Sequence, residues 1–150
     1  MKKIAIFAAV LMVFTAAVSF AGTRGTPEQA KAMVEEAVAF YNAKGNDAAL
    51  AEFSNPNGKF VKGDLYIFAI DLNGMTLAHG ANQKLVGKSL LEVKDADGKF
   101  FMKEMIEVAK TKGKGWVDYK WTNPETKKIE PKTSYVVKVK DLLLGCGAYK

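Results

Sequence analysis

Between Leu65 and His79 the chain reads LYIFAIDLNGMTLAH, a run of Val/Ile/Phe/Tyr-type residues interrupted only at Asp71 to Gly74. Such a run broken by Asn-Gly predicts a β-hairpin, with Asn73-Gly74 at the positive-φ positions of a tight turn. A symmetric loop of two or four residues pairs Leu72 with Met75, Ile70 with Leu77 and Phe68 with His79. Alternation then puts Tyr66, Phe68, Ile70, Leu77 and His79 on one face and Leu65, Ile67, Ala69, Thr76 and Ala78 on the other. Both faces are apolar, which predicts a sheet covered on both sides. The aromatic face carries the single histidine of the chain.

Around the hairpin the period changes. Thr26-Pro27-Glu28-Gln29 is a capping box, and Ala30, Met33, Val34, Ala37, Val38 and Tyr41 repeat on one face of a helix of about five turns that stops at Lys44-Gly45. Asp47 caps a short second helix through Phe53, and Asn55-Pro56-Asn57-Gly58 breaks it. After His79, loops through Gly98 lead to a helix with Phe101, Met105 and Val108 on one face, ending near Lys112-Gly113. Three strands follow. Val117, Tyr119 and Trp121 share one side of the first; Thr133, Tyr135, Val137 and Val139 oppose Lys132, Ser134 and Val136 on the second; the third runs from Leu142 to Tyr149. Consecutive strands with tight connections predict an α+β fold on an antiparallel sheet, with a long N-terminal helix on one face and a helix/loop segment over the other.

The first 21 residues stand apart. Lys2 and Lys3 precede an apolar stretch from Ile4 to Val18, and Ser19-Phe20-Ala21 places small residues where an export cleavage site needs them. The stretch is about 15 residues, short of the roughly 20 of a spanning helix. Residues 1–21 therefore read as a signal peptide and 22–150 as one exported domain, periplasmic or secreted and not membrane-embedded after cleavage. Removing Lys2 and Lys3 takes two from 22 basic residues against 16 acidic ones and leaves a net charge of +4. The lysines are scattered through loops and strand ends, which argues against nucleic acid. One Cys and one His make neither a disulfide nor a metal cluster, and no nucleophile motif or phosphate loop is present, so no catalytic residue, cofactor or metal is expected. Cys146, between two glycines, reads as a small buried residue.

Several segments, in this order, resemble the single Cache domain, an extracytoplasmic PAS-like sensor module of bacterial chemoreceptors and sensor kinases. They are Phe60 to Phe68, the Asp71-Leu72-Asn73-Gly74 turn, Leu77-Ala78-His79, Leu85-Val86-Gly87-Lys88, Asp97 to Phe100, Gly115 to Tyr119, Lys132 to Val136 and Gly145 to Tyr149. The resemblance implies a five-stranded antiparallel PAS-like sheet, the long helix behind it, and a small-molecule pocket between the other face and the covering segment. It implies short carboxylates such as acetate, propionate, lactate or pyruvate as ligands. The sequence ends at Lys150 without a following transmembrane helix, coiled coil or kinase, so a stand-alone exported form is expected. Its partner is then a small organic anion. In the alternative it is an interaction subunit docking on a membrane sensor kinase, chemoreceptor or transporter without a ligand of its own.

A small anion needs charged donors at one end, further donors to orient it and apolar walls. The candidate ligand-binding residues are Tyr66, Phe68 and His79 on the hairpin, Phe101 on the covering segment, Tyr119 and Trp121 on one later strand, and Lys132 and Tyr135 on the next. His79 has a structural alternative, a neutral imidazole that holds the following loop. Lys132 and Tyr135 differ in parity, so both reach one pocket only across a bulge.

Overall fold

The computed structural model describes residues 24–150. The predicted signal peptide, Met1 to Ala21, lies outside the described residues. Helix α1 spans Pro27–Lys44, and the capping box is formed: the Thr26 hydroxyl accepts from the Gln29 N–H, and the Gln29 side chain accepts from the Thr26 N–H. Helix α2 spans Asn46–Phe53 and begins directly from Gly45, so Asp47 lies inside its first turn rather than capping it.

Two short strands, β1 (Val61–Lys62) and β2 (Leu65–Tyr66), pair across Gly63 and Asp64. Then come β3 (Phe68–Asp71) and β4 (Thr76–His79), a 3-10 turn at Gln83–Leu85, helix α3 (Phe101–Lys112), and strands β5 (Lys114–Thr122), β6 (Ile129–Val139) and β7 (Leu142–Tyr149). The main sheet has five strands, all antiparallel, in the order β4-β3-β7-β6-β5. The first and last strands of this sheet thus lie side by side, because β3 pairs with β7.

The hairpin departs from the symmetric loop the sequence predicts. The Asp71 carboxylate accepts from the Asn73 and Met75 N–H groups, and the Asp71 N–H donates to the Met75 carbonyl at 3.0 Å. Asp71 therefore faces Met75 across three residues, and of the turn pair only Gly74 takes a positive φ, +89°. Ile70 then pairs with Thr76, and the register shifts before Ala69 meets Ala78 and Phe68 meets His79. The extra residue is Leu77, which packs on the α1 side rather than among the aromatics.

Two apolar layers enclose the sheet. On one side α1 and α2 bury Ala30, Val34, Ala37 and Phe53 against Ile67, Ala69, Leu144, Cys146 and Ala148. On the other, α3 and the loops before it bury Phe101, Met102, Met105 and Leu90 against Tyr66, Phe68, Ile70, Tyr119 and Leu143. Parity along β7 divides the layers: Leu142, Leu144, Cys146 and Ala148 face α1, whereas Leu143, Gly145, Gly147 and Tyr149 face α3.

Candidate functional site

Ten residues line a cavity under α3: Tyr66, Phe68 and Ile70 of β3 and its approach, His79 of β4, Leu90, Phe101, Met102 and Met105 from the cover, and Tyr119 and Trp121 of β5. Its free space is about 10 Å³, roughly what one water occupies. Aromatic contacts make the wall rigid. Phe101 stacks on Tyr119 at 4.8 Å and meets Trp121 edge-on, and Tyr66 lies 4.8 Å from the His79 ring.

The sheet beneath this cavity holds Lys132, which is 1% exposed. Its stem fits because β7 has no side chain at Gly147: a Cβ there would overlap Lys132 Cε and the Ser134 hydroxyl, with Lys132 Cγ at 3.0 Å. Gly145 does the same for the Phe68 ring. The two glycines are therefore a steric condition for the site, and Cys146 between them points to the other layer, its Sγ 3.8 Å from Met33 Sδ. Burial pushes the Cys146 thiol up to about 12.

Lys132 Nζ donates to Tyr66 Oη at 2.9 Å. The proton directions beyond it are fixed by a backbone carbonyl. Tyr149 Oη donates to the Thr122 carbonyl at 2.7 Å, so it accepts from Tyr66 Oη at 3.4 Å, and Tyr66 in turn accepts from the ammonium. Two ammonium protons remain. Nζ also lies 4.2 Å from the Tyr66 ring centroid and 4.8 Å from that of Tyr149. Among the described residues no carboxylate stands within ion-pair distance of it. Burial holds its pKa down to about 7, with Cys146 and Asp64 opposing the fall.

His79 is the second donor. Its Nδ1 accepts from the Ala81 N–H at 3.2 Å and the Asn82 N–H at 2.9 Å, which leaves the proton of the neutral ring on Nε2. Burial first, and the Lys132 charge second, lower its pKa to about 3. The ring therefore both fixes the loop after β4 and offers one N–H to the cavity. The Tyr119 hydroxyl is occupied with Ser134 Oγ at 3.0 Å.

The structure thus brings Tyr66, Phe68, His79, Phe101, Tyr119 and Trp121 together, with Lys132 reaching them from beneath. Tyr135 is a correction. Strand β6 pairs without a bulge from Lys132 to Val137, so parity carries Tyr135 to the α1 layer, against Trp116 at 5.1 Å and under Lys31. Sequence reasoning missed Tyr149, which contacts Lys132 only through the β6–β7 pairing, and Gly147, whose part in the site is an absence of atoms. Met102 was missed as well, although it is the i, i+3 companion of Met105 on the buried side of α3. A larger groove of about 630 Å³ beside the start of α1 is lined by exposed Arg24, Thr26, Gln29, Glu36 and Lys62 together with buried Gly25, Met33 and Leu65, and the Gly25 N–H is already given to Asp64 Oδ1.

Comparison with known proteins agrees with this architecture. The family model described as Single Cache domain 2 matches residues 14–150, starting inside the apolar N-terminal stretch. The methyl-accepting chemotaxis protein McpP of Pseudomonas putida is 33% identical over 88 residues, and the sensor histidine kinase MctS of Rhizobium johnstonii is 34% identical over 88 residues. Each match covers 57% of this chain but 16% and 19% of those proteins, so the chain spans less than a fifth of their length. Among solved structures, a methyl-accepting chemotaxis protein of Vibrio parahaemolyticus superposes with a TM-score of 0.70 at 24% identity, covering 81% of this chain and 86% of that one. A Cache chemosensory domain described for its carboxylic acid recognition has a TM-score of 0.64 at 28% identity, with 81% and 86% covered. The chain belongs to the single Cache domain family of extracytoplasmic sensor modules.

Proposed function

We propose that this single Cache domain is an exported, non-catalytic sensory protein that binds a small organic acid, of the short-chain carboxylate class, under α3. The carrying observation is the buried Lys132 ammonium, which has two protons to spare, no carboxylate partner among the described residues, and the Nε2–H of a neutral His79 as a companion donor. A buried ammonium is costly unless an anion meets it. The head of the cavity offers donors and no free acceptor, which suits a carboxylate and penalises the matching amide. Support for the ligand class also comes from the carboxylic acid recognition described for one structural relative. Export rests on the N-terminal pattern; among the described residues no helix is long and apolar enough to cross a membrane.

Accommodation of a ligand requires side chains to move, because the free space of about 10 Å³ is smaller than any carboxylate. The same observation favours a second reading, in which side chains fill the site permanently and the domain docks on a membrane sensor or transporter. A thermal-shift panel of small acids and their amides separates the two. A ligand at 100 times its dissociation constant stabilises by about 2.7 kcal/mol. Shifts with acids that disappear in Lys132→Met, with affinity down roughly ten- to a hundredfold, support the first reading. A flat panel across all anions gives way to the second.

A further inference from the structure

The two ends of the cavity differ in chemistry. His79 on the wall and Lys132 beneath it, against Tyr66, supply the donors, whereas Ile70, Leu90, Met102 and Met105 contribute no donor and are all buried. Resting on the carboxylate reading above, an acid held by its head group must lay its carbon tail against those four. Ile70 is fixed by the ladder, because β3 pairs on both sides there, with Thr76 of β4 and Leu143 of β7. Met102 and Met105 stand on α3, outside the sheet, and a methionine has three freely rotating side-chain bonds and a polarisable sulfur that re-pack at little cost.

We propose that Met102 and Met105 are the specificity-determining residues of the site: they close it in the compact state and set by their re-packing how many methylene groups a bound acid carries. The free space is too small for a carboxylate until something yields. Five other groups of the wall are held by ring contacts, Phe101 with Tyr119 and Trp121, and Tyr66 with His79, and the Phe68 ring is seated against Gly145. Movable methionines predict a graded response to chain length rather than a cut-off. Each additional methylene that finds room should then strengthen binding roughly fourfold, from about 0.8 kcal/mol per buried methylene.

Calorimetric titration of acetate, propionate, butyrate and valerate into the wild-type protein, Met102→Ala and Met105→Ala tests this. The expected result is a shift of the preferred acid by one or more methylenes in the alanine variants, with the longer acids gaining relative to acetate. Met105→Leu keeps the volume while removing one torsion, and serves if the alanine variants do not fold. It should widen the spread between the best and the worst acid. An unchanged rank order and spread in folded variants that still bind acids overturns the gauge alone. Failure of the wild-type protein to bind any of the four overturns the gauge together with the carboxylate reading.

Discussion

The two faces of one sheet have opposite constructions. Toward α1, strand β7 presents Leu144, Cys146 and Ala148, and helix α1 answers with Ala30, Val34 and Ala37, so alanines on both elements let the helix lie close and all six residues are buried. Toward α3, the same strand presents Gly145, Gly147 and Tyr149, and the room left by the glycines is taken by Phe68 and the stem of Lys132. One face uses small residues to bring two elements together. The other removes side chains to admit a charge. The first arrangement adds to stability, whereas the second imposes a desolvated ammonium that folding alone does not need, as sites shaped for a ligand commonly do.

Truncation on the α1 face should have the largest effect. Leu144 is fully buried there, and Leu144→Ala should lower the unfolding free energy by about 2–5 kcal/mol, measured by denaturant titration. Acid affinity of the remaining folded protein should stay within twofold. A change in affinity comparable to that of Lys132→Met would break the separation of the two layers.

The next effect, on the other face, is steric. Gly147→Ala places a methyl group into Lys132 and Ser134, and should cost about 1–3 kcal/mol of stability by overpacking while also displacing the ammonium. Binding and stability should therefore fall together in this variant. Unimpaired binding would mean that Lys132 reaches the ligand by another path, or not at all.

These faces were unequally legible in the sequence. Alternation sorts Tyr66 and Phe68 from Leu65, Ile67 and Ala69, because it carries across the single residue Ile67 between β2 and β3, and the same parity separates Lys132 from Tyr135, because β6 pairs without a bulge there. It fails at Leu77, where the side-chain bonds of Asp71 fix a three-residue loop and a bulge restores the register. Local patterns do not encode such a competition between a turn and a ladder. Nor do they encode Tyr149, whose contact with Lys132 follows from strand pairing across the β6–β7 turn. His79 shows a further limit. Its place on the aromatic face was readable, but its charge state depends on two N–H groups of the loop that follows it.

Titration gives the smallest and most specific test, because both basic groups of the α3 face are buried and depressed. His79 takes a proton at about 6.5 when unfolded and at about 3 when folded, so between those values the unfolded chain holds a proton that the folded one lacks. Stability should fall as pH drops through that window, by at most about 1.4 kcal/mol per unit. Lys132 goes from 10.5 to about 7, and the same logic makes stability rise with pH between about 7 and 10.5. Among the described residues, Lys132 and His79 are the buried basic groups, and neither faces α1. Lys132→Met should remove the upper slope and raise stability below pH 7, since an apolar chain replaces a desolvated charge. Acid affinity should be nearly flat from pH 5 to 6, because His79 is already neutral and Lys132 still charged, and should weaken toward tenfold per unit above about pH 7, where the unliganded Lys132 loses its proton, until it levels off at the higher pKa that Lys132 takes with the anion bound. Chemical denaturation and calorimetry of wild-type and Lys132→Met proteins across that range check both statements. A step in affinity near pH 6.5 that persists in Lys132→Met would assign the charge to His79 instead, and an unchanged upper slope in Lys132→Met would show that the ammonium is not desolvated by the fold.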